Sequence, residues 1–322
     1  MPQPPHFGKP SLSPPPAVWQ GAFTVDVEDY YQVDAFSDRV HRDQWHTFES
    51  RVLNSTRRLL DLMAAANVRG TFFVLGHIAQ LHPELVQEIC DAGHELGCHG
   101  YWHRSVHRMT PAEFREDMQE ATKLLEDLSG RRVVAFRAPN FSIREQTWWA
   151  LEILAELGYT IDSSIFPVRH DRYGMPSAPR EPHLLNLPAG PIWEFPPTVY
   201  RWMRMNIPVS GGGYFRLFPY AFSRHCLQRV SRNDGLPLMF YIHPWELDPE
   251  QPRLPASWKS RFRHYQNLRW TAPRLQRLFA DLRFGTLSDV LNEWQVRHAG
   301  QETPLEPGVS EVSINSPEVA LG

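Results

Sequence analysis

Residues 21–31 read GAFTVDVEDYY, and residues 93–103 read GHELGCHGYWH. The first stretch opens as an apolar run rich in β-branched and aromatic residues, the pattern of a strand, Gly21 to Val27. It ends in three carboxylates, Asp26, Glu28 and Asp29. The second runs through a short strand, His94 to Cys98, and leaves it with two histidines four residues apart, His99 and His103. Outward from these, helical and extended periodicities alternate. A helix is expected over Arg51 to Ala66 and a strand over Gly70 to Leu75. Pro83 opens a helix at its first position, where a missing N–H costs nothing, with Leu85, Val86, Ile89 and Cys90 on its apolar face. Thr110, Pro111 and Glu113 form an N-cap, first helical position and reciprocal cap, after which Phe114, Met118, Ala121, Leu125 and Leu128 recur at helical spacing. Strands follow at Val133 to Phe136 and Tyr159 to Ile161 around a helix at Glu145 to Leu157. Later ones are expected at Ile192 to Phe195, Leu238 to Ile242 and Gly285 to Leu287. This alternation predicts an α/β fold with parallel strands. Asp26, His99, Arg137 and His243 each follow a strand at once, on the edge where parallel barrels assemble active sites. Segment 165–235, with its prolines and the run Gly211 to Gly213, reads as an irregular insertion walling the site.

With 322 residues, 42% hydrophobic and 21% charged, the chain can bury a sizeable core. The expected organisation is one catalytic domain over 20–297, extended after residue 165, between disordered tails at 1–19 and 298–322. Lys and Arg total 33 against 36 for Asp and Glu, a net charge of −3 that argues against nucleic-acid binding. No stretch approaches the ~20 apolar residues of a membrane span. The Pro-rich start lacks the basic-then-apolar pattern of a secretory signal, so a cytoplasmic location is expected. Three cysteines, Cys90, Cys98 and Cys226, cannot all pair within one chain and read as reduced thiols. Between Pro252 and Ala280 there is no Asp or Glu, but Arg253, Lys259, Arg261, Arg263, Arg269, Arg274 and Arg277 interleave with Trp258, Phe262, Tyr265 and Trp270. Such a face suits an anionic glycan, a lipid-linked pyrophosphate or peripheral contact with acidic headgroups; its ordinary alternative is a solvated surface over buried aromatics.

An H-x-x-x-H pair is a weak metal signal, strengthened here by the carboxylates at another strand end, whose unpaired burial a cation would relieve. Two imidazoles and one carboxylate suit zinc with an open position for water. The same set matches non-haem iron oxygenases. Arg137, in FRAPNF, is expected beside Asp26, and His243, in FYIHPWE, ends an apolar strand. A base, a cation to polarise a carbonyl and a histidine to protonate a leaving amine make an amide-hydrolysis set.

Together these motifs resemble the polysaccharide deacetylases of carbohydrate esterase family 4, the nodulation-factor deacetylase homology group. GHELGCHGYWH is similar to its histidine motif, FRAPNF to its Arg-x-Pro motif, and Leu238 to His243 to its closing motif. TVDVEDYYQV, FRAPNFSI and IHPWE resemble the branch encoded with exosortase (PEP-CTERM) and exopolysaccharide loci. The likeness covers residues 20–295. It implies a distorted, incomplete (β/α) barrel and metal-dependent removal of acetyl from N-acetylated sugars. By it Asp26 is the general base, His99 and His103 are ligands, His243 is the general acid and Arg137 positions the base. The backbone near Asn140 helps hold the oxyanion, and Pro139, Asn140 and Trp245 contact substrate. The chain departs from the family in three places. Asp26 is separated from the Glu28–Asp29 pair instead of adjoining a second Asp, Gly100 stands where a Ser or Thr braces the loop, and Asn140 stands where an aromatic is frequent. Alternation puts Glu28 on the side of Asp26, yet a bulge at Glu28 would swing Asp29 inward; the expectation leans to Asp29 as third ligand. Asp162, in YTIDSS, either orients His243 or serves a cap or turn.

The function expected is a zinc-dependent N-deacetylase, a hydrolase of non-peptide carbon–nitrogen bonds. It would act on a polysaccharide or lipid-linked oligosaccharide in exopolysaccharide biosynthesis, in the cytoplasm or at the inner face of the membrane. The second reading is a catalytically silent glycan-binding or assembly protein of that machinery. The third, an iron oxygenase, would be expected on an antiparallel β scaffold.

Overall fold

Every residue of β1 (Gly21–Val27) is buried. The computed structural model, which describes residues 20–170 and 173–299, shows why: β1 has parallel neighbours on both sides and side chains packed on both faces. After β1 come α1 (Val52–Ala65), β2 (Thr71–Val74), α2 (Gly76–Leu81), α3 (Pro83–Asp91), β3 (Glu95–Cys98), α4 (Pro111–Ser129), β4 (Ala135–Phe136), α5 (Trp149–Glu156) and β5 (Ile161–Asp162). Two hairpins then follow, β6 (His183–Leu187) with β7 (Gly190–Glu194) and β8 (Val199–Trp202) with β9 (Met205–Pro208). The chain closes with α6 (Gly212–Leu217), α7 (Tyr220–Asn233), β10 (Leu238–Ile242), α8 (Trp258–Tyr265), α9 (Thr271–Asp281), β11 (Phe284–Gly285) and α10 (Leu287–His298).

The main sheet runs β10-β1-β2-β3-β4-β5-β7-β6, parallel throughout except for β6, and β11 pairs with Gly21 and Ala22 of β1. This is the expected α/β architecture with a largely parallel sheet. Alternation along each strand divides the core in two. Phe23, Val25, Val27, Phe72 and Val74 face the helices, meeting Leu59, Met63, Leu85 and Ile89. Ala22, Phe73, Ala135, Ile161 and Met239 face inward, where Phe195 and Tyr241 join them. Asp26 belongs to the inward set of β1, so the residues completing this inner face at the strand ends become the site.

Segment 165–235 is not irregular: it holds both hairpins, α6 and α7, and the first hairpin extends the main sheet. Its alternation was obscured because β6 and β9 are short and only partly buried. The tail expected at 1–19 lies outside the described residues, as does 300–322, whereas His298 ends α10. Cys90, Cys98 and Cys226 are buried free thiols.

The cap read at Thr110 is present in full: its hydroxyl accepts from the Glu113 N–H, and Glu113 Oε2 accepts from the Thr110 N–H at 2.8 Å. Thr110→Ala should lower unfolding free energy by about 1 kcal/mol in urea titration with an unchanged slope.

Candidate active site

Parallel register brings the carboxyl ends of β1, β3, β4 and β10 to one rim: Val25 pairs with Ile242, Val27 with Val74, Val74 with Cys98 and Cys98 with Phe136. The next residues, Glu28, His99, Arg137 and His243, therefore converge although they come from distant parts of the chain. A cavity of about 460 Å³ opens over them, lined among others by Asp26, Glu28, His99, His103, Asn140 and His243.

Asp26 lines its floor, and Arg137 lies buried behind Asp26. The guanidinium is fully buried and donates from Nη1 to Asp26 Oδ1 at 2.7 Å and to Thr24 Oγ1 at 2.8 Å, and from Nε to the Ser163 carbonyl at 3.1 Å. It lies 4.3 Å from the centre of the Phe73 ring. The Arg137 carbonyl in turn accepts from His99 Nδ1 at 2.8 Å. Because a carbonyl only accepts, His99 carries its proton on Nδ1 and presents the Nε2 lone pair to the site, as a metal-ligating histidine does.

His103 Nε2 lies 2.6 Å from Glu28 Oε2, yet that oxygen makes no hydrogen bond of acceptable geometry. Ligand atoms of Glu28, His99 and His103 all lie within 4.8 Å of one another. Lone pairs crowded without hydrogen bonding are what a cation site requires, so these residues fit a divalent ion. Burial alone would raise the Glu28 pKa, but the imidazoles of His103, His243 and His99 outweigh it and hold the carboxyl well below the usual range. His99 moves the other way: burial pushes it down to about 4, leaving a neutral imidazole suited to ligation. His103 has a φ of 52°, in the left-handed region, a local strain retained where it swings the ring inward.

The third-ligand expectation is corrected. Alternation continues one residue past β1, so Glu28 points with Asp26, and no bulge rotates Asp29 inward. Asp29 instead faces the start of α1, where its carboxylate accepts from Ser50 Oγ at 2.8 Å and from the Arg51 and Val52 N–H groups at 3.0 and 3.2 Å. Those amides have no partner within the helix, and the helix dipole favours an anion there. Burial raises the Asp29 pKa to about 6 against these bonds.

His243 was expected at the rim and lies there, with Nε2 3.8 Å from Asp26 Oδ2 and 3.7 Å from Glu28 Oε1. Its partner is not Asp162. That carboxyl is paired in register with Glu194 of β7 and accepts from Ser164, and burial raises the pKa of both acids. The orienting group is Glu246, whose Oε1 accepts from His243 Nδ1 at 2.9 Å and from its backbone N–H at 3.1 Å. Arg216 Nε donates to Glu246 Oε2 at 2.6 Å, and both side chains are buried. Burial opposes a charged His243, but Glu28, Glu246 and Asp26 prevail and raise it to about 9. Sequence reading missed Glu246 and Arg216. The H-x-x-E spacing at 243–246, a reciprocal cap at a helix start, was the available signal for Glu246; Arg216 had none.

Of the residues expected to touch substrate, Asn140 lines the cavity, with its backbone at a φ of 60° and its amide donating to Ser105 Oγ at 2.9 Å. Pro139 is buried against Gly100 instead of lining the cavity. Trp245 does line it, but its Nε1 donates to Glu28 Oε1 at 3.1 Å, and its ring stacks on His264 at 4.1 Å, so it also fixes the carboxylate. Gly100 needs its lack of a side chain, having a φ of 77°; the loop is braced by Asp117, which accepts from the Tyr101 N–H at 2.7 Å. In zinc titration calorimetry, Glu28→Gln should weaken binding by about 10-fold or more. Asp29→Ala should keep zinc affinity and lose about 2 kcal/mol of stability by orphaning the amides of α1.

Comparison with known proteins follows the same division. Residues 39–161 match the polysaccharide deacetylase family, and residues 163–292 match a domain of unknown function, DUF3473. Over 113 residues the chain is 31% identical to the peptidoglycan deacetylase of Helicobacter pylori, covering 34% of this chain and 36% of that protein. Over 101 residues it is 34% identical to a peptidoglycan-N-acetylglucosamine deacetylase of Bacillus cereus, covering 31% and 37% respectively. The chain thus spans about a third of the length of these curated relatives. A Mycobacterium smegmatis crystal structure assigned to the polysaccharide deacetylases shares the fold, with a TM-score of 0.56 at 22% identity over 92% of this chain and 94% of that one. Asp26 and Glu28 precede both matched segments, His99, His103 and Arg137 lie in the first, and Arg216, His243 and Glu246 lie in the second. Matched sequence and shared fold agree: residues 39–161 are similar to the polysaccharide deacetylases, and the rim is completed by residues on either side of that segment.

Proposed function

We propose that this protein hydrolyses the acetamide of N-acetylated sugars in a polysaccharide or lipid-linked oligosaccharide, as a zinc-dependent N-deacetylase of exopolysaccharide production. The whole of residues 20–297 would act as one catalytic domain. The observation that carries the reading is the meeting of an Arg-held carboxylate, a Glu–His–His ligand set and a carboxylate-backed histidine on one rim. A divalent ion held by Glu28, His99 and His103 would polarise the acetamide carbonyl and acidify a water molecule.

The chain's own groups supply the remaining chemistry. Arg137 occupies Asp26 Oδ1, which leaves Oδ2 towards the cavity as the general base that takes a proton from water. The amide carbon gains that oxygen, and the carbon–nitrogen bond breaks. His243 Nε2 gives a proton to the departing amine, so acetate and a free amino sugar result. Glu246 holds the opposite ring nitrogen, which fixes the direction in which Nε2 points and favours the protonated ring. In the resemblance, the oxyanion is met by backbone near Asn140, whose position on the cavity wall supports that assignment.

The exopolysaccharide setting rests on the likeness of TVDVEDYYQV, FRAPNFSI and IHPWE to that branch. A location at the inner membrane surface is supported by α8, which exposes Trp258 and Phe262 beside Lys259 and Arg261, with exposed Trp270 and Arg269 following. Cations beside aromatic side chains suit an anionic headgroup layer. Among the described residues no helix is long and apolar enough to cross a membrane.

Acetate release from N-acetylated oligosaccharides should be abolished by chelation and restored by zinc; release unaffected by chelation would refute the ligand assignment. Asp26→Asn and His243→Ala should each keep the metal and lose on the order of 10²-fold or more in turnover. Full turnover in either variant removes that residue from the mechanism. At Gly212 a Cβ would lie 1.9 Å from Glu246 Oε1. Gly212→Ala should therefore displace Glu246 and lower turnover by about 10-fold or more while zinc affinity stays.

A further inference from the structure

Beside the active-site cavity lies a second hollow of about 260 Å³, which shares Val33, Asp34 and His103 with it. The shared residues place the two hollows side by side, within reach of neighbouring sugars of one glycan. Its lining is unlike the first. Gln32 is only 4% exposed; its Oε1 accepts from the Asp29 N–H at 2.7 Å, while Nε2, a buried donor, has no acceptor. Trp102, with the buried Trp45 packed behind it at 6.4 Å between ring centres and tilted by 45°, offers an aromatic surface suited to a sugar face. The Arg42 guanidinium lies 5.3 Å from the centre of the Trp102 ring and forms no ion pair among the described residues. Arg104 and Arg108 complete the hollow; the first pairs with Glu113 at 2.9 Å and the second approaches Asp34 only at 3.9 Å.

The hollow thus offers an aromatic surface and, among the described residues, an amide donor without an acceptor and an exposed planar cation that forms no direct ion pair. A neutral sugar would use the platform and leave the charge unused. A carboxylate accepts from both kinds of donor, and the guanidinium fork matches its two oxygens. We propose that this hollow is a subsite for a carboxylate-bearing sugar adjoining the N-acetylated sugar at the active site, so that the substrate is an acidic glycan. Asp34, on the boundary between the hollows and drawn towards Arg108, would disfavour an anion on the active-site side and thereby set the order of the two sugars.

The proposal rests on the deacetylase reading, and binding separates the two. Calorimetry on the full chain would compare a hyaluronan tetrasaccharide, in which N-acetylglucosamine alternates with glucuronate, with neutral chitotetraose. The hyaluronan fragment should bind about 10-fold tighter or more at low salt, with the difference shrinking as salt is added. Arg42→Gln, an exposed substitution, should bring the ratio towards one, and Gln32→Glu should lower it by repulsion. Equal affinities, no binding of the hyaluronan fragment, or a preference that survives Arg42→Gln would overturn the subsite. Acetate release measured in parallel reports on the catalytic reading separately: preferential binding without release keeps the subsite and removes the deacetylase, whereas release without preference does the reverse.

Discussion

A guanidinium removed from water must be met by acceptors on every side, and Arg137, at the end of one strand, is met in this way from two others. Breaking such a buried pair typically costs about 3–5 kcal/mol, because the remaining charge has no solvent to turn to. Thr24 and Asp26 come from β1, Ser163 follows β5, and Arg137 itself follows β4. The need to satisfy one cation therefore fixes the spacing of the strands at the rim. It also fixes chemistry, since the same residue restrains Asp26 with its side chain and sets the tautomer of His99 with its carbonyl.

The three rim acids are treated differently by their surroundings. Asp26 has Arg137 at 2.7 Å, and Glu246 has Arg216 at 2.6 Å. Glu28 has no arginine; it has one indole N–H, two imidazoles within 4 Å and an oxygen without a hydrogen bond. A buried carboxylate left in that condition is costly. Two acids are neutralised by the protein, and the third is the one placed for the proposed cation. That inequality, more than the H-x-x-x-H spacing, supports the proposed metal site over a cluster of ordinary ion pairs.

The rim is also divided along the chain. His99, His103 and Arg137 belong to the deacetylase segment, Asp26 and Glu28 precede it, and His243 with both groups behind it belongs to the segment of unknown function. Arg216 reaches past Glu246 to the carbonyls of His264 and Gln266, at 2.8 Å each, so its orientation depends on the C-terminal end of α8. The second segment is thus part of the site's construction, and α6, where Gly212 lies against the Glu246 carboxylate, has no room there for a side chain.

Local patterns carried much of this in the sequence. Period-two and helical periodicities, together with the box at Thr110, mark the alternating elements, because each reports which faces of a short segment avoid water. His99, Arg137 and His243 stand out for the same reason, each a polar residue directly after an apolar strand, and Asp26 as the one carboxylate within its apolar strand, one residue before the end. Strict alternation even pointed to Glu28, though the possible bulge at the strand end could not be judged from the residues alone. Which of Glu28 and Asp29 faces the rim was decided by the start of α1, more than twenty residues on, whose free amides capture Asp29. The partner of His243 was decided similarly. Asp162 has the right residue type, but register gives it to Glu194, while Glu246 is held in place by an arginine thirty residues before it. Periodicity determines the burial of neighbours in sequence; the choice among chemically equivalent carboxylates belongs to charges and amides that only the folded chain brings within hydrogen-bond reach.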